Sequence, residues 1–202
     1  MKSILYKLFA VLVILYLSGC VKRHFYPDKD DPGLSRLTSH GFNIATAYIN
    51  KVPYINPFKN TLFGVSNYTP TLSKMITNSA YDTLSLSWPI EINDSTVNYN
   101  QPYRNITLKL PIPKTFTQQD LLAMSGQRMS QKTNTIVMQS YYNQPNELSG
   151  PSNIYLVTIK EDPSYTPAHL ILSGLFEGNI GDSILITKGR FDFEISTDKI
   201  NF

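Results

Sequence analysis

The sequence predicts an all-β domain, an antiparallel β-sandwich with one short helix. Short runs of alternating apolar and polar residues recur along the chain, and Asn, Pro, Asp and Ser residues separate them. Beyond the N-terminal stretch, no segment has the length and period of the crossover helices that a parallel sheet needs. A calycin-like β-barrel, in which one sheet closes on itself, fits the same pattern, so the sequence leaves these two architectures open.

The clearest strand is predicted over residues 83–92, where Leu84, Leu86 and Trp88 alternate with small polar residues. The same period of two, or a short apolar run between turn residues, predicts the remaining strands. They bring the total to roughly eight or nine, and they cover residues 41–50, 61–68, 104–112, 134–142, 154–159, 168–180 and 184–195, of which the last two form a hairpin.

Capping and glycine positions refine this outline. One helix is predicted over residues 117–125, because Thr117 can cap its first turn, Asp120 lies three residues later, and Gly126 suits its exit. Glycines inside predicted strands indicate bulges or bends, and they are Gly174, Gly178 and Gly189.

Composition favours a folded chain that is close to neutral. The sequence is 42% hydrophobic, 12% aromatic and only 16% charged, which argues against disorder of the body. The formal charge is +3, but loss of Lys2 and Lys7 with a signal peptide leaves 16 of the 18 basic residues against 15 acidic ones. A chain of this balance gives no reason to expect a nucleic-acid partner.

The first twenty residues have the pattern of a bacterial lipoprotein signal. Lys2 and Lys7 precede an apolar run at residues 8–17, which is shorter than the about 20 residues of a membrane-spanning helix. The run ends in the letters LSGC, which resemble the lipobox, and Cys20 is the only cysteine. The resemblance implies cleavage before Cys20 and acylation there with three chains, so no thiol remains for disulfides or catalysis.

Three segments follow from this signal. They are a signal peptide over residues 1–19, the lipidated Cys20 with a flexible tether over residues 20–39, and a single β-rich domain over residues 40–202. The expected partner of Cys20 is a lipid bilayer. Val21 does not resemble the Asp that retains some lipoproteins at the inner membrane, so we expect the outer membrane and leave its periplasmic or surface face open.

Two segments resemble a family of uncharacterised outer-membrane lipoproteins of Bacteroidota-type bacteria. Residues 41–50, GFNIATAYIN, are similar to the opening strand of that family, and residues 184–193, ILITKGRFDF, are similar to its closing "ITxGRFD" strand. The resemblance covers both ends of the domain and implies β framework, without an active site. Three Asp-Ser/Thr pairs also resemble an O-glycan acceptor of these bacteria, although such pairs equally suit turns; the acceptors would be Thr83, Ser95 and Ser183.

Aromatic residues beside amide-rich turns are the candidates for ligand contact. Tyr and Trp rings next to Asn and Gln suit sugar stacking with hydrogen bonds to hydroxyl groups. Packing within strands explains such residues equally well, and Trp88 continues the apolar run of its strand. The candidates are Trp88, Tyr99, Tyr103, Tyr141 and Tyr142, and the partner they suggest is a glycan or an envelope protein.

No catalytic residue, metal site or cofactor is predicted. The nucleotide-binding and hydrolase fingerprints are absent from the sequence, and His169 is the one histidine well inside the domain. Asp192 and Glu194 share a strand face, about 6 to 7 Å apart by strand geometry, as a glycosidase pair would. Arg190 lies beside them, and such alternation is typical of a solvated outer surface.

We therefore expect a non-enzymatic binding or assembly module at the cell envelope. The alternatives are a calycin-like carrier of a small apolar ligand and a glycan-processing hydrolase. A structure separates the three: a carrier needs a closed sheet around an apolar cavity, a binder an exposed aromatic shelf, and a hydrolase two carboxylates converging in a cleft.

Overall fold

The computed structural model describes residues 27–56, 58–61, 64–67, 70–92, 103–129, 133–140 and 147–200. Within these ranges the protein is all-β with one short helix, as the sequence predicts. No helix in them is long and apolar enough to cross a membrane. The elements are β1 (Ile44–Ile49), β2 (Val52–Ile55), β3 (Phe58–Thr61), β4 (Gly64–Asn67), β5 (Thr71–Met75), β6 (Asp82–Pro89), β7 (Glu91–Ile92), β8 (Tyr103–Ile112), α1 (Gln118–Ala123), β9 (Gln127–Met129), β10 (Thr135–Ser140), β11 (Glu147–Asp162), β12 (His169–Ile180) and β13 (Ile184–Ser196).

Eleven of these strands form one antiparallel sheet, which is curled into a half-barrel. Its order is β5-β6-β8-β10-β11-β12-β13-β1-β2-β7, with β9 also paired to β11, while β3 and β4 form a separate hairpin. The 16-residue β11 joins the two halves of the sheet. Its first residues, 147–151, pair with β10, and residues 152–162 pair with β12.

Glycine allows the chain to pass closely where the sheet bends. A Cβ on Gly150 of β11 would lie 1.9 Å from the carbonyl oxygen of Asn179 in β12, and a Cβ on Gly178 would lie 2.8 Å from the carbonyl oxygen of Pro151. Backbone atoms cannot move aside as a side chain can, so only glycine fits at Gly150. The predicted bend at Gly178 coincides with a shift in the β12–β13 register between Phe176 and Gly178.

The two halves of the sheet face each other across an aromatic core. Trp88 of β6 lies 5.4 Å from Phe176 of β12, and 6.0 and 5.3 Å from Phe191 and Phe193 of β13, measured between ring centroids. Two of the three glycines predicted inside these strands make room for the rings: a Cβ on Gly174 would lie 2.5 Å from the Phe191 ring, and one on Gly189 would lie 2.6 Å from the Phe176 ring. The interior between the halves is therefore filled by side chains.

Local sequence chemistry accounts for the helix. Thr117 and Asp120 form a capping box around the N-terminus of α1: the Asp120 N–H donates to the Thr117 hydroxyl at 3.3 Å, and the Thr117 N–H donates to the Asp120 carboxylate at 2.8 Å. Hydrogen bonds from the Thr117 hydroxyl and N–H also hold the pKa of the Asp120 carboxyl below its usual value. Buried Leu121 anchors this short helix to the core.

Several strands differ from the sequence-based expectation. Of residues 61–68, predicted as one strand, Thr61 ends β3 and residues 64–67 form β4, so the described part of this segment belongs to two strands of a hairpin. The strands β2, β5 and β9 were not predicted, because they are short and lack a clear apolar alternation. The strand predicted at residues 154–159 lies within the much longer β11, whose first residues, ELSGPSN, are polar or small apart from Leu148 and Pro151.

The N-terminal segment that the sequence assigned to a flexible tether packs on the sheet from residue 27 onward. We call residues 27–43 the strap. Leu34 is fully buried and Ser35 is buried beside β1, where its N–H donates to the Thr46 hydroxyl at 3.2 Å. The packed domain therefore includes residues 27–39, and its expected start at residue 40 is corrected. Charged and polar side chains of these residues have partners on the outer face of the sheet. The predicted signal peptide and Cys20 lie outside the described residues.

Candidate binding groove

A row of four side chains crosses the outer face of the sheet. Arg128 of β9 lies opposite Tyr155 of β11, which lies opposite Leu175 of β12, which lies opposite Arg190 of β13. Neighbouring strands are about 4.8 Å apart, so the row spans about 14 Å. Tyr155 and Leu175 are half-buried in its middle, and the two arginines are at its ends.

A second row on the same face completes an open groove. Asn153 and Glu177 lie opposite each other two residues along from the first row, and the Asn153 amide donates to the Glu177 carboxylate at 3.0 Å. Lys188 of β13 also lines this side of the groove. It lies in a β-bulge, where its backbone is left-handed with φ of +52°. The groove between these rows has a volume of about 620 Å³, within the range of about 300–1,000 Å³ that small-molecule sites occupy.

The strap is joined to this surface by ion pairs with the two cations of β13. The Arg190 guanidinium donates to the Asp28 carboxylate at 2.6 Å and to the Ser35 carbonyl at 2.8 Å. The Lys188 ammonium donates to the Asp31 carboxylate at 2.8 Å. Strap residues thus neutralise both cations that β13 contributes to the groove, and they hold the two side chains in place.

These contacts favour the charged forms of the acidic and basic partners. The Asp30 N–H, and then the Arg190 guanidinium, hold the pKa of the Asp28 carboxyl below its usual value. The hydrogen bond to Asp31 raises the pKa of the Lys188 ammonium above its usual value. Both residues therefore stay ionised at neutral pH.

Arg128 differs from the other two cations in the groove. Its guanidinium lies 5.3 Å from the centre of the Tyr155 ring, in cation–π geometry. Among the described residues it makes no ion pair with a carboxylate. With respect to the described part of the chain, the planar guanidinium therefore keeps its donors available at the edge of the groove, where they match a carboxylate or another planar acceptor.

A buried carboxylate fastens the strap beside the groove. Asp192 of β13 is only 1% exposed, and it accepts hydrogen bonds from the N–H groups of His40 at 3.1 Å and Gly41 at 2.8 Å. The Thr38 hydroxyl and the more distant Phe42 N–H also donate to it. The expectation that Asp192 lies on a solvated face is wrong, because the strap covers this part of the face.

Asp192 and Glu194 therefore do not converge in a cleft. Glu194 instead bonds to the His169 imidazole at 2.9 Å, and Tyr165 stacks on that ring with centroids 4.1 Å apart. The charge of Glu194 and its hydrogen bond with the phenol raise the pKa of Tyr165. No group of three or more side chains with metal-ligand chemistry occurs in the described part of the chain.

The residues predicted from sequence lie apart from the groove or outside the described ranges. Trp88 is 2% exposed in the core, where its ring cannot contact a ligand on the surface. Tyr103 begins β8. Of the candidate O-glycan acceptors, Thr83 lies half-buried on β6. Ser183 lies in the exposed turn between β12 and β13. Outside the described residues are Cys20, Ser95, Tyr99, Tyr141 and Tyr142.

Sequence reasoning missed the groove residues because they are distant along the chain. Tyr155 alternates with Ile154 and Leu156, which are buried on the core side. That alternation was the one usable signal, since it places Tyr155 on the opposite face from the core. The run of residues 154–159 instead suggested a strand covered on both faces. Arg128 comes from a strand too short to predict, and its position opposite Tyr155 depends on register.

Comparisons of the chain with protein-family models, with curated proteins and with solved structures found no match.

Proposed function

We propose that this protein is a lipid-anchored lipoprotein of the cell envelope whose β domain is a non-enzymatic binding module. The groove beside Tyr155 is its ligand-contact surface. The observation that carries the proposal is the groove itself, which combines half-buried Tyr155 and Leu175 with an arginine that has no carboxylate partner among the described residues. Apolar floor and a few placed polar groups are the usual composition of a small-ligand site.

The groove favours a binder over the two alternative functions. A carrier of an apolar ligand needs an internal cavity, whereas the interior between the two halves of the sheet is filled by Trp88 and its phenylalanine neighbours. A hydrolase needs two carboxylates facing a substrate. Asp192 is occupied by the strap and Glu194 by His169.

The anchoring part of the proposal rests on the lipobox resemblance at Cys20 and on the resemblance to Bacteroidota-type lipoproteins. Because the strap packs on the sheet from Pro27, only six residues, 21–26, lie between Cys20 and the packed chain, which is seven Cα–Cα steps. Fully extended, they span at most about 25 Å. A lipidated Cys20 would therefore hold the domain close to the membrane, with the Asp28 end of the strap, and the groove beside it, on the anchored side.

A matched pair of substitutions tests the binding surface. Wild-type protein is screened on an array of neutral and acidic oligosaccharides and short peptides. Leu175→Glu places a carboxylate between the two arginines and should abolish binding, because it occupies both the floor and the cationic ends of the groove. Leu185→Glu makes the same change at an exposed leucine of β13 that does not line the groove, and it should bind as wild type.

Equal binding by the Leu175→Glu variant, or the absence of any ligand for the wild type, would contradict the proposed binding surface. The anchor is tested separately by fractionating cells that express the full chain with Cys20→Ala. We expect the variant to leave the membrane fraction, and unchanged membrane retention would count against lipidation.

A further inference from the structure

The ligand-contact surface has a chemical bias that identifies a class of ligand. This inference rests on the proposed function, because it concerns the same groove. We propose that the groove binds an acidic saccharide, a short oligosaccharide that contains uronic-acid residues, and that Arg128 binds its carboxylate.

The floor of the groove has no free backbone groups with which to bind a ligand. Tyr155 and Leu175 lie in the interior of the sheet, where β11 and β12 have paired their N–H and C=O groups with neighbouring strands. An extended peptide that binds by strand addition gains its affinity from free main-chain groups of a sheet edge. The floor offers side chains alone, so recognition depends on the Tyr155 and Leu175 surfaces and on the polar groups around them.

The polar groups around the floor suit a hydroxylated ring. Asn153 and Glu177 supply amide and carboxylate groups on one side, and the ring and hydroxyl of Tyr155 lie in the middle. Sugars present apolar C–H faces together with hydroxyl groups, so they bind where aromatic or aliphatic surface lies next to amides and carboxylates. A purely apolar ligand would leave Asn153 and Glu177 desolvated without new partners.

The position of the charges then favours an acidic sugar at the Arg128 end of the groove. Glu177, the carboxylate of the second row, lies on β12, two strands away from Arg128 on β9. Lys188 and Arg190 are neutralised by Asp31 and Asp28 of the strap, whereas Arg128 has no such partner in the described ranges. The Tyr155 ring holds the Arg128 guanidinium at the mouth of the groove. A carboxylate on the sugar can accept two parallel hydrogen bonds from it, a geometry that lysine cannot supply.

The test compares three probes with matched variants by calorimetry at low and moderate salt. The probes are oligouronates of three residues (galacturonate, glucuronate and mannuronate), neutral maltotriose, and a triglutamate peptide. We expect at least one oligouronate to bind wild-type protein and to bind Arg128→Ala at least tenfold more weakly. Arg128→Lys should recover only part of the loss, and affinity should fall as salt rises.

Arg36→Ala is the control, because Arg36 is an exposed arginine of the strap outside the groove. It should bind as wild type. Circular dichroism and unfolding midpoints equal to wild type show that Arg128→Ala remains folded.

Three sets of results would overturn the inference. Binding of maltotriose or triglutamate in place of the oligouronates, with loss in Leu175→Glu, refutes the ligand class while the groove stays a binding surface. Oligouronate binding that Leu175→Glu and Arg128→Ala both leave unchanged refutes the site itself and, with it, the proposed function of the groove. Failure of all three oligouronates to bind wild-type protein also overturns the acidic-saccharide assignment.

Discussion

Replacement of Asp192 by alanine should release the strap from β13 and lower the free energy of unfolding by about 3 kcal/mol. The carboxylate is 1% exposed and accepts hydrogen bonds from Thr38, His40 and Gly41 of the strap. The Gly41 N–H is buried, so its loss of a partner alone costs about 2 kcal/mol. The donors on Thr38 and His40 are part-buried and can regain water, so each adds about 0.5 kcal/mol.

Asp192→Asn is the informative companion variant. It keeps the shape of the side chain and one oxygen that can accept the Gly41 N–H, but it turns an amide NH₂ toward the other strap donors. We expect it to cost about 1–2 kcal/mol, roughly half the effect of alanine. Against a typical total stability of about 5–15 kcal/mol, either change is measurable.

Urea unfolding followed by the fluorescence of Trp88, the only tryptophan, reports the stability of the core. Limited trypsin digestion reports the strap, because Lys29 and Arg36 are exposed cleavage sites within it. Both Asp192 variants should unfold at lower urea concentrations than wild type. Cleavage at Arg36 should be fastest in Asp192→Ala, slower in Asp192→Asn and slowest in wild type. An alanine variant with the wild-type midpoint and the wild-type cleavage rate would refute the assignment of Asp192 as the anchor of the strap.

Three further predictions concern the strap, the bend in the sheet and the helix cap. The folded pKa of Asp28 is lowered, so its stabilising effect is present above the ordinary Asp value and is lost as pH falls through the folded pKa. Trypsin cleavage of the strap, measured at neutral pH after brief exposure to each pH and crosslinking, should therefore rise below about pH 4 and not between pH 6 and 8. Asp28→Asn should show a smaller rise, because Asp31 and Asp192 still hold the strap, and an unchanged rise would show that Asp28 does not contribute. Gly150→Ala should cost more than about 3 kcal/mol, or prevent folding, because its Cβ would overlap the Asn179 carbonyl oxygen; a wild-type thermal midpoint would contradict the close crossing. Thr117→Ala should cost about 1 kcal/mol, measured by urea unfolding, and no change would show that the capping box does not stabilise the fold.

Much of the sheet was predictable because burial on one face imposes a period of two. Leu84, Leu86 and Trp88 point into the core and reveal β6 directly, and the paired strands β12 and β13 follow the same rule. The capping box of α1 was equally readable, since Thr117 and Asp120 are local partners. The choice between sandwich and barrel required pairing information, which a single sequence does not carry.

The strap was not predictable for a physical reason. Its acidic residues, such as Asp28 and Asp31, are those expected in a solvated linker, and their partners on β13 lie more than 150 residues away along the chain. A charged residue has the same sequence signature whether it faces water or a distant counter-ion. Asp192 was misread in the same way, because alternation with Phe191 and Phe193 identifies the outer face but not what covers it.

The candidate site shows the same limit. The sequence drew attention to tyrosines beside amide-rich turns, whereas the groove uses Tyr155, which lies within a strand between two core residues. The groove depends on the register that sets Arg128, Tyr155, Leu175 and Arg190 in one row. Each of these residues is ordinary in its local context, and only the pairing of four strands brings them together.

The most direct test of the binding surface is an NMR titration of the isotopically labelled protein with trigalacturonate, triglucuronate and trimannuronate. We predict that the amide signals of Asn153, Tyr155, Leu175 and Glu177 shift in a saturable manner with at least one of them, while signals from β5 and β6 at the far end of the sheet stay in place. Saturable shifts confined to residues outside the groove, or no shift with any of the three, would contradict the account.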